Sequence, residues 1–328
     1  MSLPLAVVVG AIGTQGRCEI ANQADSAGHS VSIALAKSGQ FRVRSLTRNI
    51  ESPKALELGG LPNVTVHYFD ANKAETVESA FTDADYVFAM TAEGQDETTQ
   101  GKLMVDTAKK AGVKFFIFSS LPDPAPYDIP FFKKKQAVSQ YLNSSQLPGC
   151  SIYLPFFMEN FLDLGQITVD DSQKVHLKFV RIAVDKESYH VAINPDLGNA
   201  VLRILQHVRS GKSAPELNHK DLILGDRSGR GSISDIAGII ERKMGLSTEI
   251  TVQPIFEPEG GEYDELFAKN AGSRDAGFFE NDIVPSAELR ELGLTFTSLK
   301  DYVENTVIPS LSTPANDKLK PIGTSSLS

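Results

Sequence analysis

Three glycines at positions 10, 13 and 16 lie in the run AVVVGAIGTQG, spaced GxxGxxG directly behind an apolar stretch. A turn of this kind between a strand and a helix lets backbone N–H groups and a helix N-terminus face a pyrophosphate. Glycine is needed wherever a Cβ would block that approach. A plain tight turn uses the same residues, so the triplet gains meaning from heading a series of strand–helix units. The next apolar run ends in SLTRN, which puts Arg48 where a dinucleotide site keeps the residue that reads the adenosine ribose. A carboxylate there would accept from a free 2′-hydroxyl. A guanidinium pairs with a 2′-phosphate, which favours NADP(H) over NAD(H), against the alternative of an ordinary surface charge.

A tyrosine four residues before a lysine could trade a proton with a substrate carbonyl, because the ammonium lowers the phenol's pKa. Lys135, flanked by Lys133 and Lys134, is the candidate lysine; four residues before it stands Phe131. None of the eight tyrosines has lysine four positions later, so the expected acid is missing. Ser119 and Ser120 end the apolar run KFFIFSS, where a substrate-polarising serine would stand and where strand-end capping is the equal alternative. The six histidines show no ligand spacing, and Cys18 and Cys150 stand far apart without a CxxC pattern, so no metal site is expected.

Arg48 lies 32 positions after Gly16. The usual reach is about twenty, leaving about twelve residues over. HSVSIALAKSG reads as a normal helix after the loop, which assigns the surplus to Arg17–Gly28, RCEIANQADSAG. Its carboxylates, Glu19 and Asp25, would oppose a phosphate, and a segment leaving through the first helical turn would disturb the positive end of that helix. The segment is either a surface loop behind which the helix restarts or a stretch foreign to the mature message, such as retained intron sequence.

These residues need elements to hold them. Five β-rich runs, LAVVVG, FRVRSLTR, VTVHYFD, ADYVFAMT and KFFIFSS, alternate with helical segments that stop near Gly39, Gly59 and Gly112. The pattern predicts an α/β fold: a doubly wound, mostly parallel Rossmann sheet over residues 1–160. A helix near 131–145 leads to CSIYLPFFMENF, whose aromatics read equally as a cleft wall or as core. A smaller α/β domain over 161–312 is expected to cover the cleft, followed by a polar, disordered tail at 313–328. The 328 residues are 41% hydrophobic and 22% charged, within the globular range, with no apolar run long enough for a membrane span. A net charge of -9 argues against direct nucleic-acid binding. The sparse, unpaired cysteines fit a reducing compartment.

With these residues in view, the chain resembles the NmrA-like family of atypical short-chain dehydrogenases/reductases, through GAIGTQG, LTRN, QGKLMVDTAKKAGVKFFIFSSL and PFFMENF and, more loosely, NPDLGNAV and GFFEND. The resemblance implies pyrophosphate contacts at Gly10, Ala11, Ile12, Gly13, Thr14 and Gln15, with Gly16 closing the motif, and a 2′-phosphate contact at Arg48. It implies that Asp70 and Ala71 lie near the adenine and that Thr91, Ala92 and Glu93 follow the fourth strand. Lys135 and Phe157, Met158, Glu159 and Asn160 would fall beside the nicotinamide ribose. The implied function is an NADP(H)-binding regulator, cytoplasmic and also nuclear, that passes cofactor state to a protein partner such as a transcription factor. The alternative is an NADPH-dependent reductase of the isoflavone-reductase type acting on a small carbonyl, quinone or enone, with Lys135 as its catalytic residue. The surplus segment is the main departure from the family pattern.

Overall fold

The computed structural model describes residues 2–11, 27–91, 96–123, 130–180, 185, 187–211, 216–253, 279 and 282–312. The chain begins with strands β1 (Leu5–Val9), β2 (Arg42–Thr47), β3 (Val64–Tyr68), β4 (Tyr86–Ala89), β5 (Phe115–Ser120) and β6 (Gly149–Tyr153). Helices α1 (Ala27–Lys37), α2 (Pro53–Gly59), α3 (Ala74–Phe81), α4 (Glu97–Lys110) and α5 (Pro130–Ser144) alternate with them. Beyond β6 come β7 (Phe156–Phe157), α6 (Asn160–Asp163), β8 (Ile167–Val169), β9 (Val175–Val180), β10 (Ser188–Val191), α7 (Gly198–Arg209), β11 (Lys220–Ile223), β12 (Arg230–Gly231), α8 (Ile233–Met244) and β13 (Thr248–Gln253).

Among the described residues, seven strands form one sheet in the order β11-β6-β5-β4-β1-β2-β3, every neighbour pair parallel. The order reverses at β1, so the chain ends of β1 and β4 open a crevice where such sheets bind ligands. The central strands β1, β4 and β5 are buried along their whole length because helices cover both faces. Ala6 and Val8 of β1 join Val31 and Leu35 of α1 and Val201 and Ile204 of α7 on one face. Leu5, Val7 and Val9 join Phe81 of α3, Met104 of α4 and Val138 of α5 on the other. Alternation along the strand supplies both layers from one run.

The five strands expected from sequence are all present in a doubly wound Rossmann sheet with a smaller C-terminal part. The large sheet does not stop at residue 160, however. β11, from the run DLILG, pairs in parallel with β6, and α7 packs on the same face as α1. Two apolar neighbours at the open edge, Leu222 and Ile223, give β11 its place there. The smaller part holds two three-stranded sheets, β12-β10-β7 and β13-β9-β8, around a core of Phe161, Leu177, Phe179, Ile236 and Ile240. The helical stretch from Leu299 to Ser312 closes that core with Tyr302, Val303 and Val307. α8 is set by a capping box in which Ser232 and Asp235 satisfy each other's backbone N–H.

Candidate functional site

β1 delivers Gly10 at φ +76°, a left-handed backbone in which a Cβ would lie 2.6 Å from Met90 Sδ. The Ala11 N–H donates to Leu46 O at 3.0 Å, which pins the turn between the ends of β2 and β4. Ile12, Gly13, Thr14, Gln15 and Gly16 lie outside the described residues, as do Glu19 and Asp25 of the surplus segment. The chain returns at Ala27 as the first residue of α1, and Gly28 is the second. A Cβ on Gly28 would stand 2.5 Å from Gly10 O and 2.8 Å from Ala11 Cα. Ala27 and Gly28 are therefore helix, so the surplus expected at Arg17–Gly28 overlaps the start of α1; a segment of the same length fits equally as Gly16–Ala27, and Arg48 then follows Gly28 by twenty positions. The first helical turn is seated on the end of β1 rather than displaced by the extra residues.

Arg48 is exposed just beyond β2, on a turn held by Asn49 N–H to Thr47 Oγ1 at 3.1 Å and by Glu51 N–H to Asn49 Oδ1 at 3.1 Å. Asp70 and Ala71 follow β3. Asp70 accepts from the Asn72 N–H at 3.1 Å, and Gln100 of α4 donates to Asn72 Oδ1 at 2.8 Å. Arg48, Asp70 and Thr91 thus follow β2, β3 and β4, with β1 lying between β4 and β2, so all three stand at the C-terminal edge of the same parallel sheet. Ala92 and Glu93 lie outside the described residues.

Thr91 and Lys135 are brought together, with a partner that the sequence did not single out. The Lys135 ammonium on α5 donates to Thr91 O at 3.1 Å and to Thr91 Oγ1 at 3.2 Å, and lies 2.7 Å from Glu97 Oε1. The Thr91 hydroxyl in turn donates to the same Glu97 oxygen at 2.7 Å. Glu97 is fully buried and Lys135 is 5% exposed. An ammonium has three N–H donors, and this one has three acceptors. The side chain of Phe131 lies outside the described residues.

Ser120 at the end of β5 is buried and receives the Ser139 hydroxyl at 2.8 Å, so its oxygen is engaged by α5. Next to Lys135, Gln136 donates to Leu121 O at 2.6 Å and accepts from Tyr153 Oη at 3.2 Å. Burial drives the Tyr153 phenol's pKa well up, away from that of a working acid at neutral pH.

The run PFFMENF splits between the two roles open to it. Met158 and Phe161 are core, and the Met158 N–H donates to Val191 O at 3.0 Å; Phe157 and Asn160 are partly exposed. Glu159 is buried, and its Oε1 accepts from the Asn194 N–H at 3.1 Å. Its Oε2 has no hydrogen-bond partner among the described residues. Burial raises its pKa to about 7, resisted by the backbone N–H groups of Ile193 and Asn194. Buried His190 lies between the Phe156 ring at 6.0 Å and the Phe161 ring at 5.4 Å; burial lowers its pKa to about 4. Among the described residues no cluster of three or more His, Cys, Asp or Glu side chains could hold a metal, and no helix is long and apolar enough to cross a membrane.

The parallel sheet, the glycine at its first turn and the chain ends beside it define a Rossmann-type nucleotide fold. Residues 6–257 match the model of the NmrA-like family, and the chain belongs to that family. A nitrogen metabolite repression protein of Neurospora crassa is 27% identical over 164 residues, 40% of this chain and 34% of that protein. An NmrA-like oxidoreductase of Aspergillus hancockii is 30% identical over 173 residues, 48% of each. The matched part is between a third and a half of the length of the curated relatives, from 34% to 50%. The crystal structure of NmrA, a negative transcriptional regulator in complex with NADP, superposes with a TM-score of 0.76 at 20% identity, over 94% of this chain and 97% of that one. An NADPH-dependent quinone oxidoreductase of Escherichia coli bound to NADPH gives a TM-score of 0.67 at 18% identity, over 92% and 98%.

Proposed function

We propose that the protein binds NADP(H) in preference to NAD(H) and acts as a regulator that reports cofactor state to a protein partner such as a transcription factor, without being an efficient reductase itself. The tight turn at Gly10, where a left-handed backbone and the close approach of Met90 exclude a Cβ, and the first turn of α1 seated on it fit a dinucleotide pyrophosphate. Arg48 would hold the 2′-phosphate, Asp70 and Ala71 the adenine side, and Thr91 with Phe157–Asn160 the nicotinamide side. The bound dinucleotide would supply the redox state to be sensed. A net charge of -9 supports a protein partner over nucleic acid. The Neurospora relative's role in nitrogen metabolite repression supports the regulatory side.

The observation that carries the non-catalytic reading is the closed Lys135 site. With Thr91 and Glu97 taking all three N–H donors, no donor is left for a ribose hydroxyl, and the adjoining carboxylate offsets the charge that would acidify a phenol. The oxidoreductase among the relatives supports the second reading, an NADPH-dependent reductase of small carbonyls, quinones or enones. Calorimetric titration with NADP+, NADPH and NAD+ tests cofactor binding; loss of NADPH absorbance against quinones, aldehydes and enones tests turnover. Binding without turnover is the expected result. Turnover abolished by Lys135→Ala, in a variant that still folds, would establish the reductase instead.

A further inference from the structure

We propose that Gly28, not Gly16, fills the role of the third glycine of the dinucleotide motif, so that the surplus of about twelve residues precedes an intact helix start. The inference rests on the dinucleotide reading above. Spacing alone selects Gly16, because GAIGTQG completes the motif by itself. The physical task of the third glycine is different from a spacing rule: it lets the helix approach the first strand closely. Gly28 performs that task. Its missing Cβ would stand 2.5 Å from Gly10 O, 2.7 Å from Gly10 C and 2.8 Å from Ala11 Cα, all backbone atoms that cannot rotate aside.

Independent contacts hold α1 in this register. The Ser30 hydroxyl donates to Ile193 O at 2.8 Å, and a Cβ on Gly198 of α7 would lie 2.6 Å from Ser30 O. Further along the helix, the Ser45 hydroxyl of β2 donates to Ser32 Oγ at 2.9 Å. The twenty positions from Gly28 to Arg48 restore the usual reach from the last glycine to the ribose-reading residue. Removing residues 16–27 or 17–28 produces one and the same chain, in which a single glycine serves both spacing and packing.

Thermal unfolding without ligand and calorimetry with NADP+ are measured on the full chain, on Gly28→Ala, on Gly16→Ala and on the chain lacking residues 16–27. Gly28→Ala is expected to lower the midpoint by roughly 5 °C or more and to weaken NADP+ at least tenfold. Gly16→Ala should leave the midpoint unchanged and move NADP+ affinity less than threefold. The shortened chain should fold and bind NADP+, and Gly28→Ala in that chain should bring back the loss seen with Gly28→Ala in the full one. A tolerated Gly28→Ala, or a Gly16→Ala that loses the midpoint and the affinity together, overturns the assignment. Should Gly28→Ala fail to fold, an unaffected Gly16→Ala and the shortened-chain pair still decide. If the midpoints follow the expected order while the full chain binds no NADP+, Gly28 is a packing glycine only and the dinucleotide reading fails, not the helix register.

Discussion

At Lys135 the ion pair with Glu97 is almost out of solvent, so removing one charge leaves the other stranded. Lys135→Ala is expected to destabilise the fold by about 3–5 kcal/mol. A double variant, Glu97→Gln with Lys135→Met, should recover a large part of that loss, because no buried charge is left uncompensated. Urea unfolding of the three proteins measures this, and a double variant no better than Lys135→Ala would show that shape rather than charge sets the cost. The same closed site predicts that Phe131→Tyr creates no efficient dehydrogenase, since the Lys135 ammonium is already committed to Thr91 and Glu97 and a posed substrate and polarising groups are needed as well. Strong new alcohol oxidation with NADP+ would contradict this. Arg48 is exposed and free to meet a phosphate, so Arg48→Ala should weaken NADP(H) by about 1.5–3 kcal/mol, the range for a hydrogen bond to a charged group, and leave NAD(H) unaffected. Equal losses for both cofactors would remove Arg48 from the 2′-phosphate role. The place of Arg48 just beyond β2 was legible in the sequence because a strand end is a position the pattern defines. Glu97 was not, because nothing in a lone carboxylate opening a helix shows that it folds back onto a lysine 38 positions later.

Among the elements, the strand–helix alternation carried the first five strands, since each β-rich run lies between helical segments. The start of α1 was less legible. Two glycines, Gly16 and Gly28, both precede a good helical pattern, and only the packing of Gly28 on Gly10 and Ala11 separates them. The expectation that the extra residues break the first turn of the helix fails for this reason: Ala27 through Ser30 are helical and buried, with Gly28 seated on Gly10 and Ala11 and Ser30 bonded to Ile193. Deleting residues 16–27 is accordingly expected to change NADP(H) affinity by no more than about 1 kcal/mol and to raise stability by a similar amount, through the smaller loop-closure entropy. Calorimetry and thermal unfolding on the two chains check both figures. A tenfold or larger gain in affinity would mean that the long loop does compete with the phosphate after all.

On the scale of the whole molecule, the division near residue 160 was drawn from a change in pattern, and pattern could not reveal that β11 and α7 return to the large sheet. A short apolar strand has no periodicity to say which sheet it joins. That return brings buried carboxylates to the junction: Glu159 beside the Asn194 backbone, and Asp196, whose carboxylate accepts from Thr297 N–H at 3.0 Å and from Thr297 Oγ1 at 2.9 Å. Burial pushes Glu159 up to about 7 and Asp196 up to about 6, with Asp163 adding to the first and Asp226 to the second. Both carboxyls hold their protons longer in the folded chain than in the unfolded one, so their contribution is fully present below the ordinary carboxylate range and is lost as pH rises through 6 to 7. His190 has the opposite sign: held neutral down to about 4, it costs stability as pH falls below its ordinary value near 6.5. Two groups therefore oppose one, and stability should decline between pH 5 and pH 8. Glu159→Gln keeps an oxygen for the Asn194 N–H while removing the charge. Relative to the unmodified protein, it should gain progressively over that window, by on the order of 3 kcal/mol at pH 8. Urea unfolding of both proteins at pH 5 and pH 8 measures the gain. An equal difference at the two pH values would show that Glu159 does not titrate with folding, and that its carboxylate stays charged beside Ile193 and Asn194 throughout.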